Sequence, residues 1–453
     1  MKTTRVAFFL WAALTSIIMA GTLWLNHIGA FGMFIRLGPY SILGQNLASA
    51  LIVWLLFGLT IFLVYAQWLN RETIVIYAGF LLVSLVYINL LRERIVFGDL
   101  EYYIDAATQL YENNPLPAGY LYPPFWAVVL EPFVRYGKPG LLLTSWLLNV
   151  ASVGALYFLL IAALKQYGFS TRSAALTTTI FLLVNVPALR TLFYGQVNLH
   201  MLNFMLLTVV LYPRQRFLSA LALAVAVHLK ISPIILAFVF LLQRDWRWLL
   251  YFGIGLILVG MLPVITDGIT PYYDFLRNSQ EVVGVRDISF REGSIDAVFL
   301  ALYNLKFIPL LTARTLTYTV KFFVVGFAFF VLARNVREKT FFEGEGQVAL
   351  NALPVMVLLL NLASPLVWEH HGIFLALPFL LLLKKLGSPS DWWIFGFAYL
   401  VQFLMPTFDY YPWSTAARLS APLLILWLMY RLASGPEPAA AFEKTELWLA
   451  NAF

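Results

Sequence analysis

The chain has 453 residues, 61% of them hydrophobic and 12% charged, with a mean hydropathy of +0.81 and a formal net charge of +7. That balance excludes a soluble globular domain, because too little polar surface is present to cover a core of this size. The basic excess is assigned to loops facing anionic lipid rather than to nucleic acid, and the absence of cysteine excludes disulfides and thiolate metal sites.

Apolar runs of membrane length recur along the chain, since a helix needs roughly 20 apolar residues to cross a bilayer. The first follows Lys2 and Arg5, exceeds the apolar region of a signal peptide, and is read as a retained span. Length and the Lys/Arg bias of short loops place spans at about 6–26, 47–67, 73–91, 140–163, 173–190, 198–213, 217–229, 231–243, 248–265, 315–333, 349–364, 371–384, 391–406 and 415–433. The expectation is an all-α integral membrane protein with about 12–14 spans and both ends cytoplasmic. The inner loops then carry Arg71, Lys165 with Arg172, Arg214 with Arg216, Arg244 with Arg247, Arg334 with Arg337 and Lys339, and Lys384 with Lys385. The stretch 217–243 is too long for one span and short for two. Lys230-Ile231-Ser232-Pro233 at its centre is read as a polar apex between two short helices. No internal repeat is visible. The organisation expected is one transmembrane domain over 1–433, with extra spans in 1–70, an acidic outer loop at 92–139 and a long outer loop at 266–306. A short cytoplasmic tail, 434–453, follows.

Within the acidic loop, Asp99, Glu101 and Asp105 crowd the start of a polar stretch that includes Tyr102 and Tyr103. Ile104, Ala107, Leu110 and Tyr111 recur at helical spacing, which predicts an amphipathic surface helix ended by Asn113-Asn114-Pro115. Tyr122-Pro123-Pro124 then returns the chain to hydrocarbon. The topology sets Asp99, Gly195-Gln196-Val197-Asn198, Lys230, the loop 266–306 and Trp368-Glu369-His370-His371 on one side, the outer one. Loops are polar in any membrane protein, so this grouping is also what an ordinary topology would give.

These pieces carry a resemblance. Gly98-Asp99-Leu100-Glu101-Tyr102-Tyr103, Tyr120-Leu121-Tyr122-Pro123-Pro124, Gly195-Gln196-Val197-Asn198, Leu229-Lys230-Ile231-Ser232-Pro233 and Ser364-Pro365-Leu366-Val367-Trp368-Glu369-His370-His371 occur in that order. Over about 95–385 the chain resembles the polyprenyl-phosphate-mannose-dependent integral-membrane mannosyltransferases of the bacterial envelope, in the GT-C glycosyltransferase superfamily. It departs from them in an extra pair of spans before the acidic loop, an even number that leaves the acid outside. The resemblance implies a GT-C-type transferase in the bacterial cytoplasmic membrane with its active site outside. It implies a polyprenyl-phosphate sugar as donor, with a hexose (mannose above all) transferred with inversion to an envelope glycolipid or glycan. No nucleotide-sugar site is implied.

Each residue has a plainer role open to it. Asp99 could cap a helix, but an outer-face transferase needs one carboxylate to take the acceptor's proton, and a phosphate leaving group needs no second acid. Asp99 is therefore the expected catalytic base, and Glu101, Tyr102, Tyr103 and Tyr122 are expected to face the acceptor or support the loop. Lys230 near the headgroup level could snorkel or pair with a phosphodiester; Lys321, Arg314 and Arg190 compete with it. His370 and His371 point different ways on a helix and do not suit one metal ion. Either interfacial solvation or a hydrogen bond to the donor fits them. Gln196 and Asn198 suit sugar hydroxyls or helix contacts equally. No metal and no cofactor are expected; the partners are donor, acceptor and membrane lipid. The rival reading is a lipid or solute transporter, which would place its ionisable groups at the midplane of broken helices and show repeats.

Overall fold

The computed structural model describes residues 2–27, 42–70, 73–93, 98–284, 292–405 and 413–434. The expected tail at 434–453, apart from its first residue, lies outside the described residues, as do 94–97 and 285–291 within the two outer loops. Among the described residues the secondary structure is helical, with no strand and one isolated antiparallel bridge, Glu292 to Trp368. The protein is an all-α polytopic membrane protein.

Three helices are single apolar segments long enough to cross a bilayer by themselves: Gly140–Gln166, Trp246–Asp267 and Leu310–Arg337. A fourth, Thr171–Leu183 with Val186–Phe193, is bent by 59°. The bend follows from local chemistry. Asn185 caps the second half by accepting from Ala188 N–H at 2.9 Å, and Pro187 in the first turn cannot continue the preceding ladder. Lys2–His27, Ile42–Tyr65, Thr73–Glu93 and Trp413–Leu432 are helices of 20–26 residues, and others such as Asn198–Leu211 and Gln347–Ala363 are shorter. The stretch 217–243 does divide in two. Arg216–Leu229 ends where Lys230 turns extended (φ −160°, ψ 131°), and Ser232–Leu236, opened by Pro233, leads into Ala237–Leu242.

The acidic-loop helix runs Asp99–Tyr111 and buries Leu100, Tyr103, Ile104, Ala106, Ala107 and Leu110. The apolar face is the expected one with a correction: Tyr111 is exposed. The last turn, with Glu112 also exposed, projects beyond the surface on which the helix packs. The 266–306 segment holds two more helices, Thr270–Gly284 and Ile295–Asn304. The first grips the acidic loop: Asp274 Oδ2 accepts from Leu116 N–H at 3.1 Å, and Asn278 Nδ2 donates to Pro117 O at 2.9 Å.

The basic loops meet at the opposite end. Arg216 bridges Asp245 (3.2 Å) and Glu345 (2.7 Å), Lys384 donates to Gly168 O (2.9 Å), and Arg431 pairs with Asp391. One end of the bundle is therefore basic and the other carries the acidic loop, as the loop charges require if the two ends face different compartments.

Candidate functional site

The start of the acidic helix and the Tyr194 turn meet at the acidic-loop end because two backbone segments press together. Leu100 N–H donates to Tyr194 O at 3.0 Å. A Cβ on Gly98 would lie 2.5 Å from the Tyr194 ring, and one on Gly195 would lie 2.6 Å from Leu100 Cβ. Gly195 also holds φ +61°, which costs other L-residues strain. These two glycines let the start of the acidic helix sit directly on the Tyr194-Gly195-Gln196 turn.

Asp99 is the first residue of its helix and is half-buried. Tyr122 Oη lies 3.5 Å from Asp99 Oδ2 and 3.4 Å from Gln196 Oε1; it has one hydrogen to donate between them. The buried Tyr103 donates to the same Gln196 oxygen at 3.2 Å. The rings of Tyr103, Tyr120 and Tyr122 sit 5.0–6.3 Å apart and wall this side of the carboxylate. Burial raises the Asp99 carboxyl above the ordinary aspartate range, against the pull of the Lys230 charge and the Tyr122 hydrogen bond. Asp99 is thus a stronger proton acceptor than an ordinary aspartate.

Lys230, at the turn between its two short helices, faces Asp99 from across the chain. Burial pushes its ammonium down to about 8, opposed by the Asp99 charge. Its Nζ lies 2.7 Å from His371 Nε2, and His371 Nδ1 accepts from Trp368 N–H at 3.1 Å. His370 turns the other way. Its ring lies against Tyr194 (5.9 Å) and Trp368 (6.2 Å), and Thr191 Oγ1 reaches its backbone carbonyl at 3.4 Å. Adjacent histidines do diverge, and of the two only His371 hydrogen-bonds Lys230.

The histidine segment is anchored from behind by a carboxylate. Glu369 is 2% exposed and pairs with Arg418, 5% exposed, at 3.1 Å, with Arg190 Nε at 3.7 Å. Gly293 N–H donates to Val367 O at 2.8 Å, which ties the same segment to the second outer loop. Arg418 and the anchoring role of Glu369 were not singled out from sequence. The signal was available: an arginine inside the 415–433 span is costly there and marks a functional or paired group.

The structure sorts the other candidates. Glu101 is exposed beside Lys138 (3.8 Å), and Tyr102 is half exposed at the rim. Gln196 lies within the tyrosine wall. Asn198 is fully buried with neither amide atom hydrogen-bonded, so its place is among buried groups needing a partner. Of the rival cations, Lys321 pairs with Asp296, Arg190 with Glu369, and Arg314 is exposed. Among the described residues no three His, Asp or Glu side chains cluster as metal ligands would.

The family model described as glycosyltransferase family 87 matches residues 120–365, more than half of the chain. No curated protein and no solved structure matches it. Gln196, Asn198 and Lys230 lie inside the matched span; Asp99 precedes it, and His370, His371 and Arg418 follow it.

Proposed function

From the premise that this chain belongs to glycosyltransferase family 87, a GT-C type family, we propose that it takes a hexose, mannose above all, from a polyprenyl phosphate. The acceptor is an envelope glycolipid or glycan, and the transfer takes place at the outer face of the bacterial cytoplasmic membrane. The observation that carries this reading is one half-buried carboxylate, Asp99, electrostatically coupled to one half-buried amine, Lys230, at the end of the bundle away from the basic loops. In the proposed reaction Asp99 takes the acceptor hydroxyl's proton as its oxygen attacks the anomeric carbon, and the carbon–oxygen bond to phosphate breaks on the far side, inverting the centre. Lys230 and His371 meet the phosphate, which leaves without needing a second acid. Gln196 is assigned to sugar hydroxyls together with Asn198, whose unpaired amide is ready for such a partner. Glu101 and Tyr102 at the rim are assigned to the acceptor's approach, and Tyr103 and Tyr122 to supporting Asp99. No metal and no cofactor take part.

A lipid donor needs an apolar path, and one starts four residues after Lys230. A cavity of about 350 Å³ is lined by Ile234, Ile235, Phe238 and Leu241 with Phe329 and Met356. Its apolar walls suit an isoprenoid chain. The test of the reading is incubation of purified protein with radiolabelled polyprenyl-phosphate mannose and membrane extract. A labelled glycolipid or glycan is expected; hydrolysis only, or no product with any polyprenyl-phosphate hexose, would sink it.

Two narrower results are expected. The cysteine-free background permits topology mapping with an impermeant thiol reagent on intact cells. Tyr102→Cys should label and Lys165→Cys should be protected; the reverse pattern would place the site inside. Lys230→Met should weaken donor binding by about 10- to 100-fold, the ~1.5–3 kcal/mol expected of a hydrogen bond to a charged group, with acceptor KM little changed. An unchanged donor affinity would remove Lys230 from the phosphate.

A further inference from the structure

The contact between Lys230 and His371 constrains where the protons sit. A neutral imidazole carries hydrogen on one nitrogen and a lone pair on the other. Trp368 N–H donates to His371 Nδ1 at 3.1 Å, so Nδ1 holds the lone pair. The Leu366 carbonyl also approaches the ring and has a second lone pair besides the one that accepts the Ser364 hydroxyl at 2.8 Å, but the Trp368 N–H aimed at Nδ1 excludes a hydrogen on that nitrogen. Nε2 therefore carries the hydrogen, and it lies 2.7 Å from Lys230 Nζ. An ammonium has three donors and no acceptor, so it would set hydrogen against hydrogen at this distance. A neutral amine offers a lone pair to Nε2–H.

Resting on the donor reading above, we propose that His371 is a positioning residue that holds Lys230 as a neutral amine in the empty site, and that Lys230 takes up one proton when the donor phosphate arrives. The proton comes from solvent and no covalent bond changes. Once Lys230 is an ammonium its lone pair is gone, and the His371 Nε2–H is released to donate to a phosphate oxygen as well. One binding event thus turns a mutually satisfied pair into two donors aimed at the anion. Asp99 offsets the cost of a desolvated Lys230 cation only in part, and the arriving phosphate adds the second counter-charge.

The surroundings agree. Asp99 is the acid that faces Lys230, and Tyr122 shares a hydrogen bond with it. His370 lies edge-on to His371 at 4.7 Å, and Phe374 stacks on its ring at 6.0 Å. Glu369, the nearest other carboxylate in the segment, is engaged by Arg418 and Arg190. Burial holds the Lys230 ammonium down at about 8, so the neutral amine held by His371 predominates in the empty site above that pH. Since the donor-bound state holds more protons than the empty one, donor affinity is full below the empty-site value and falls as pH rises through it.

The experiment is calorimetric titration of the full-length detergent-purified protein with polyprenyl-phosphate mannose, whose phosphodiester does not itself titrate there. At about pH 8.5, in two buffers of different ionisation enthalpy, roughly three-quarters of a proton should be taken up per donor bound, the share of empty sites that hold a neutral lysine there. Lys230→Arg, charged at every pH, should bind donor with no uptake. Asp99→Asn should keep the uptake, which assigns it to the lysine. His371→Asn, whose amide oxygen can turn towards an ammonium, should lower it; a merely structural role would change affinity and leave the proton count alone. Binding with no uptake by the unaltered protein would overturn the inference and leave the donor reading standing. Failure to bind the donor would overturn both.

Discussion

Asp99→Asn is expected to fold, to bind the lipid-linked donor, and to lose about 10²- to 10⁴-fold of its transfer rate, the usual worth of a positioned base. The substitution keeps the size of the side chain and its ability to accept from Tyr122, so local packing is little disturbed. What it removes is the lone pair that takes the acceptor's proton. Single-turnover transfer from bound donor measures that step directly. The pH profile adds a second check: burial raises the Asp99 carboxyl, so the acid limb of kcat/KM should lie above the ordinary aspartate range, with activity rising as pH rises through it. The alkaline limb should fall near 8 as the Lys230 charge becomes harder to form. Asp99→Asn protein with near-normal turnover would sink the mechanism and bring Glu101 forward, although that residue's exposure beside Lys138 argues for a mild Glu101→Gln phenotype.

Arg418→Met is expected to destabilise the protein by about 3–5 kcal/mol, the typical result of stranding one member of a buried ion pair. Glu369 would remain buried without Arg418, beside Arg190 at 3.7 Å, a more exposed and longer contact than the Arg418 pair. The double variant Arg418→Met, Glu369→Gln removes the charge on both sides and should recover most of the loss, because replacing a buried pair with neutral groups is far less costly than breaking it. Thermal unfolding in detergent, followed by the tryptophan signal, compares the three proteins. A single variant as stable as the parent, or a double variant no better than the single, would show that the pair does not anchor the segment. Since Glu369 immediately precedes the histidines, the single variant should also lose donor affinity as His371 drifts from Lys230.

Much of this molecule was legible before any coordinates. The apolar runs placed the helices well: 73–91 became Thr73–Glu93, 248–265 became Trp246–Asp267, and 349–364 became Gln347–Ala363. Helix positions are written in composition because each segment's backbone must satisfy its own hydrogen bonds in lipid, which demands a contiguous apolar stretch. The Lys230 apex was legible for a related reason, since a lysine followed by Ser-Pro cannot continue a buried helix. The separation of polar residues onto two ends followed from the parity of the spans.

What composition and spacing could not supply was which polar residues meet. Gln196 and Asn198 read alike, yet one joins the tyrosines beside Asp99 and the other is buried with no hydrogen bond; the difference of two residues around a helix start decides it. Adjacent His370 and His371 diverge because the Trp368 N–H fixes one ring and the Tyr194 and Trp368 rings flank the other. Glu369 and Arg418 lie 49 positions apart and recognise each other through packing of the last span, a relation that no local pattern encodes. The sequence by itself determined the class, the helices and the two-sidedness, because those depend on each segment's exchange of water for lipid. Only the tertiary structure decided the partners, because a charge or an amide acquires its chemistry from what burial sets within about 3 Å of it.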